Sequence, residues 1–220
     1  MSKKISVKAV AVTGVICALA YLLTFVFHFK VSFLTFDFKD AVIALSSLIY
    51  GAPYGVAAAA IVAFVEFVSI SDTGLYGLIM NFLASATFSF VCGIIYNCKR
   101  TLSGAVLGLI LSSVSVVAVM LAANFFITPF YMGVPRSAVI ELLPTLILPF
   151  NIVKTVINSA FTLLLYKPVI NALRHYGIIE KSKQQSRSLV SVIVLIISVI
   201  VIVISALFVI LQLNGVFVIF

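Results

Sequence analysis

Charge is what this chain has least of. Asp, Glu, Lys and Arg together make up 9% of its 220 residues, against 64% hydrophobic types. That balance excludes a soluble globular domain. Acidic groups are the scarcer sign, 6 against 14 basic ones, for a formal net charge of +8. The basic residues lie in short loops and chain ends, so they read as a topology signal and not as a nucleic-acid footprint. Cysteine is limited to Cys17, Cys92 and Cys98, in or beside apolar segments and without metal-ligand spacing. They read as small packing residues. The two histidines, His28 and His175, fall at opposite ends of the apolar spans and cannot share a metal. HExxH, GxSxG and the P-loop lysine motif are all missing, and no span carries a pair of carboxylates. An enzyme is therefore not expected, and the chain has no site to hydrolyse ATP itself. No convincing internal repeat of the kind seen in many secondary carriers is visible.

What is present is a series of long, continuous apolar runs. Alternation is absent, which excludes a porin-like barrel. The expected fold is an all-α polytopic membrane protein. Spans are expected at about 7–28, 41–50 (short), 56–70, 75–96, 102–128 and 142–173. A further uncharged span, Leu189 to Leu211, follows a polar stretch from Arg174 to Ser188. The first run lacks a small-residue cleavage site and is followed by further spans, so it is read as a membrane helix and not as a signal peptide. Phe29 to Asp40 mixes aromatics with charges and reads as an ordered interfacial loop. It serves either as an aromatic belt or as a cover over a ligand. Phe130 to Glu141 reads as the longest mid-chain loop, with the fifth span ending just before Pro129.

The most informative stretch is Pro149-Phe-Asn-Ile-Val-Lys-Thr-Val-Ile-Asn158. Asn151, Lys154 and Asn158 are spaced i, i+3, i+7 and share one helix face. Facing lipid, the Lys alone would cost roughly 3 kcal/mol on insertion scales. The face should therefore meet the protein interior or a water-filled cavity. Amides also join helices to one another, and that plainer role stays open for each Asn. Other polar groups fall at matching depth. Glu66 ends an apolar run and needs a partner or water, with an ion pair to Lys154 as one option. Tyr76, Met80 and, less squarely, Asn81 share a face of the fourth span. Asn124 lies near the far end of the fifth.

The Lys and Arg bias gives orientation. Lys3, Lys4, Lys8, Lys99, Arg100 and the residues from Lys167 to Arg187 fall on one side; Lys30, Lys39 and Arg136 fall on the other. The N-terminus is then cytoplasmic. Asn151, Lys154, Asn124, Asn81, Glu66 and the Phe29–Asp40 stretch all lie in the outer half, which points to an outward-facing ligand pocket. In the first span, Gly14 and Ala18 form a small-xxx-small pair that lets another helix approach, within the fold or from a partner.

Four stretches now carry a resemblance: Phe33-Leu-Thr-Phe-Asp-Phe-Lys-Asp40, Gly74-Leu-Tyr-Gly-Leu-Ile-Met-Asn81, Asn124-Phe-Phe-Ile-Thr-Pro-Phe-Tyr131 and Leu143-Pro-Thr-Leu-Ile-Leu-Pro-Phe-Asn-Ile-Val-Lys-Thr-Val-Ile-Asn158. Over about residues 5 to 176 the chain resembles the riboflavin-specific S components of energy-coupling factor (ECF) transporters. The resemblance implies a six-helix S-component core in a bacterial cell membrane. It implies an extracytoplasmic vitamin site covered by the loop after the first span. It also implies a coupling module of one transmembrane subunit and two ATPase subunits. In the family the small-residue motif of the first span docks to the coupling subunit, which places that role on Gly14 and Ala18; Gly14 stands where Ala is usual. The domains implied are a binding domain at 1–176, a basic cytoplasmic linker at 177–188, and an additional transmembrane helix with its tail at 189–220. That seventh span departs from the family.

Riboflavin, as transported ligand and not as cofactor, suits these residues. Its pyrimidine edge alternates carbonyl acceptors with an N–H donor, and a carboxamide such as Asn151 or Asn124 offers both. Lys154 can donate to a carbonyl or a ribityl hydroxyl. The dimethylbenzene end is apolar and suits Leu34, Tyr76 or Met80. Phe33, Thr35 and Asp40 could close the top, with Asn158, Asn81 and Glu66 as further candidates. The rival readings are an S component for another vitamin, a self-sufficient ion-coupled carrier and a structural membrane subunit without ligand.

Overall fold

A computed structural model describes residues 6–177, 196 and 198–200. Seven α-helices and one two-stranded hairpin make up the described chain. In order they are α1 (Val7–Val26), β1 (Phe29–Val31), β2 (Leu34–Phe36), α2 (Lys39–Tyr50), α3 (Ala52–Ser69), α4 (Gly74–Cys98), α5 (Leu102–Met132), α6 (Arg136–Leu142) and α7 (Leu148–His175). A five-residue π-helical segment, Leu143–Ile147, joins α6 to α7. Five of the described helical stretches are long and apolar enough to cross a membrane. The span expected at Leu189 to Leu211 lies outside the described residues, apart from 196 and 198–200.

The second span is not a full crossing. At 12 residues α2 is about 18 Å long, well short of the hydrocarbon layer. Every residue from Lys39 to Leu48 is buried, because α1, α3, α4 and α7 pack around it. This central post ends at Gly51, whose φ of 103° allows α3 to start at the next residue. Small residues let the surrounding helices close in. A Cβ on Gly93 would lie 2.9 Å from the Cα of Ala52 and 2.9 Å from the Cβ of Ser47. Only glycine on α4 permits that approach to the α2–α3 corner.

The expected interfacial loop is an antiparallel hairpin running into α2. Phe29 pairs with Phe36, Lys30 with Thr35 and Val31 with Leu34. The turn is Ser32-Phe33, with Ser32 at φ 57°, a position where type I′ and II′ hairpins require positive φ. Leu34 and Phe36 are buried against Ile147, Phe150 and Ile157 of the π segment and α7. The rings of Phe36 and Phe150 meet edge to face at 6.2 Å. The hairpin is thus a strap packed over one end of the bundle, and not a belt at a lipid surface.

The expected long loop at 130–141 is mostly helix. α5 runs through Pro129 to Met132, and α6 begins at Arg136. Pro129 removes one N–H without ending the helix, and Gly133 closes it in the left-handed region at φ 66°. At the start of the last span, the Leu148 amide bonds back to the Leu143 carbonyl, five residues earlier. That widened turn changes the rotational phase of everything after it.

Candidate functional site

The strap, the start of α4, the end of α5 and the start of α7 enclose a cavity of about 800 Å³, its open mouth included. Ten residues singled out from sequence line it: Phe33, Leu34, Thr35, Asp40, Tyr76, Met80, Asn81, Asn124, Asn151 and Lys154. Asn158 and Glu66 do not. Residues that periodicity alone did not mark also take part, including Val116 and Met120 of α5 and Phe150 of α7. Each is an apolar residue in an apolar span, so nothing in the sequence separates it from its neighbours.

The polar groups are held in place by their own helices. The Asn151 amide donates to the Ile147 carbonyl at 2.8 Å, the last residue of the π segment. The Asn124 amide donates to the Met120 carbonyl at 2.8 Å, and its oxygen accepts from the Thr128 hydroxyl at 2.8 Å. Both are buried. These i−4 bonds fix the rotamers before any ligand arrives, which lowers the entropy cost of binding.

Lys154 reaches from α7 to the strap. Its Nζ donates to Asp37 Oδ2 at 2.9 Å and to the Thr35 carbonyl at 3.1 Å. The sequence suggested Glu66 as its counter-ion, and the structure corrects this. Glu66 Oε2 instead accepts from Lys39 Nζ at 2.6 Å and from the Asn81 amide at 3.2 Å. The reason is register: α2 starts at the strap end and α3 finishes there, so Lys39 meets Glu66 while Asp37 falls over α7. Asp40 does not close the top of the cavity as a lid residue. It is buried in the first turn of α2 and accepts from the Ser85 hydroxyl of α4. Asp37, Lys39, Asp40, Glu66 and Lys154 therefore form one buried cluster against the cavity wall. Burial alone would raise the pKa of Asp37, but the ammonium groups of Lys154 and Lys39 outweigh it and hold the carboxyl below its usual range.

Asn158 is fully buried, and its role is to fasten the chain. Its oxygen accepts from the Ala41 amide at 2.9 Å, and its amide donates to the Asp37 carbonyl at 3.0 Å. Those are backbone groups at the N-terminus of α2, whose N-cap residue Phe38 makes no side-chain cap bond. Nothing local in the sequence signals these roles, since the Asp37–Lys154 and Asn158–Ala41 contacts each span 117 positions.

Gly14 and Ala18 lie on an exposed face of α1, and a Cβ on Gly14 would meet no atom within 4 Å. Leu19 and Leu22 are also exposed on this helix.

The architecture is that of a membrane-embedded small-molecule-binding protein: a helical bundle with a polar-lined chamber under a strap. Residues 8–170 match the family model of the ECF transporter substrate-specific component, and the chain belongs to that family. It is similar to the riboflavin transporter RibU of Staphylococcus aureus (strain TCH60), 29% identical over 177 residues, 76% of this chain and 93% of that protein. It is also similar to a solved S component of a bacterial ECF transporter. That match has 29% identity and a TM-score of 0.65, covering 76% of this chain and 98% of the other. The family's members are transporter components and not enzymes.

Proposed function

We propose that this chain is the riboflavin-binding S component of an ECF transporter. The observation that carries the reading is the meeting of Asn124, Asn151 and Lys154 at one cavity whose remaining walls include Leu34, Met80 and Phe150. Two carboxamides and one ammonium suit the alternating carbonyl and N–H edge of the flavin pyrimidine ring. The apolar walls suit its dimethylbenzene end. The relative from Staphylococcus aureus, named a riboflavin transporter, supports the same ligand.

On this reading the N-terminus is cytoplasmic and the strap faces outward. The vitamin enters beneath the strap without any covalent chemistry. A coupling module of one transmembrane subunit and two ATPase subunits then drives its delivery. The open face of α1 around Gly14 and Ala18 is the surface where the transmembrane partner docks. Reorientation of the whole subunit carries the ligand across, as few charges face outward from its helices.

The test is a titration of the purified full chain in mild detergent, read by quenching of flavin fluorescence. Stoichiometric quenching, or flavin colour that co-purifies, is the expected result. A colourless protein without quenching would overturn the ligand assignment.

A further inference from the structure

The cavity's one ammonium does not hold itself in place. Lys154 has three N–H donors, and two are committed, to Asp37 Oδ2 at 2.9 Å and the Thr35 carbonyl at 3.1 Å. Both acceptors belong to the strap end of the chain. One donor is left for the cavity that Lys154 lines. Asp37 is itself fully buried and tied down on several sides. Its Oδ1 accepts from the Lys39 amide at 3.3 Å, and its Oδ2 lies 3.5 Å from Lys39 Nζ. Its carbonyl accepts from Asn158 at 3.0 Å. Lys39 is paired in turn with Glu66 at 2.6 Å.

We propose that Asp37 is a positioning residue for ligand binding. Its carboxylate aims the free N–H of Lys154 into the cavity and makes that aim depend on the strap being seated. Asp37 lines not this cavity but the adjoining polar one with Lys39 and Glu66, and it reaches the site through Lys154. The site's donor is thereby built from two distant segments, which come into register only when β2, the start of α2 and α7 are packed together. The inference rests on the riboflavin-binding reading above and adds a residue to it.

A double-mutant cycle on the full chain tests it, with riboflavin affinity measured for the wild type, Asp37→Asn, Lys154→Met and the double variant. Wild-type binding comes first: its absence would overturn the ligand assignment itself, separately from this inference. With wild-type binding present, Asp37→Asn is expected to weaken affinity about 10- to 100-fold, the range of one charge-assisted hydrogen bond. The double variant should bind no worse than Lys154→Met alone, because a misaimed ammonium and a missing one are equivalent. If Asp37→Asn alone fails to fold, leaving Lys154 buried without its anion, the comparison of the double variant with Lys154→Met still decides. Equal affinities there support positioning. A further loss comparable to that of Lys154→Met, or an Asp37→Asn variant that binds like the wild type, overturns it. Asp37→Glu should recover part of the affinity lost in Asp37→Asn only when Lys154 is present.

Discussion

The side chain of Asn158 and the backbone of Ala41 are joined across 117 positions of sequence. The carboxamide oxygen on α7 accepts from the first-turn amide of α2 at 2.9 Å. The same side chain takes the Asp37 carbonyl at 3.0 Å. One residue therefore adds to the N-terminus of α2 a bond that its N-cap residue Phe38 does not make, and fixes the strap to the last helix. Replacing it with Leu leaves two buried backbone groups unpaired, at about 1–3 kcal/mol each. The expected outcome is a clear drop in the thermal midpoint of the detergent-solubilised chain. An unchanged midpoint would mean that α2 is capped by something else.

Lys154→Ala should weaken riboflavin binding by about 10- to 100-fold while the helical content persists. The fold can survive because Asp37 keeps Lys39 at 3.5 Å. Affinity by fluorescence titration and helicity by circular dichroism read the two effects separately. Wild-type affinity in this variant would remove Lys154 from the site.

Gly93→Val should be among the most damaging changes in the membrane core. The new Cβ would meet the Ala52 backbone and the Ser47 side chain at 2.9 Å, and backbone cannot turn aside. Overpacking of this kind costs about 1–3 kcal/mol or more. Poor recovery as a monodisperse peak in size-exclusion chromatography is the expected readout.

Gly14→Leu makes the opposite case. Nothing lies within 4 Å of its Cβ position, so the isolated chain should fold and bind riboflavin as before. A bulky residue on that face would block close approach by another helix. Vitamin uptake by cells that also express the coupling module should fall sharply, and a Leu at Ala18 should act alike. Loss of binding by the isolated chain would place Gly14 inside the fold and not at a docking surface.

Much of this could be read along the chain. Apolar runs gave α1, α3, α4 and α5, because a bilayer demands helices of a set length and no other local structure satisfies the backbone there. The face shared by Asn151 and Lys154 was legible from spacing alone, since polar groups in an apolar helix are costly wherever they do not converge. Two loops have more regular structure than their composition suggests. Ser32-Phe33 is a hairpin turn although its positive-φ position holds Ser and not the usual Gly. Pro129 is expected to follow the end of α5, yet the helix runs on to Met132 and is capped by Gly133.

Local pattern along the chain shows that this protein lives in a membrane, roughly how many helices it has, and which polar residues must be hidden from lipid. Those follow from local pattern and from the cost of burying charge. Which residue pairs with which is set by the packed fold. Lys154 took Asp37 and not Glu66, Asn158 became a clamp and not a cavity residue, and the short second span became the buried post of the bundle. Pairing depends on where chain ends meet in space, and ion pairs between segments so far apart leave no period in the sequence to reveal them.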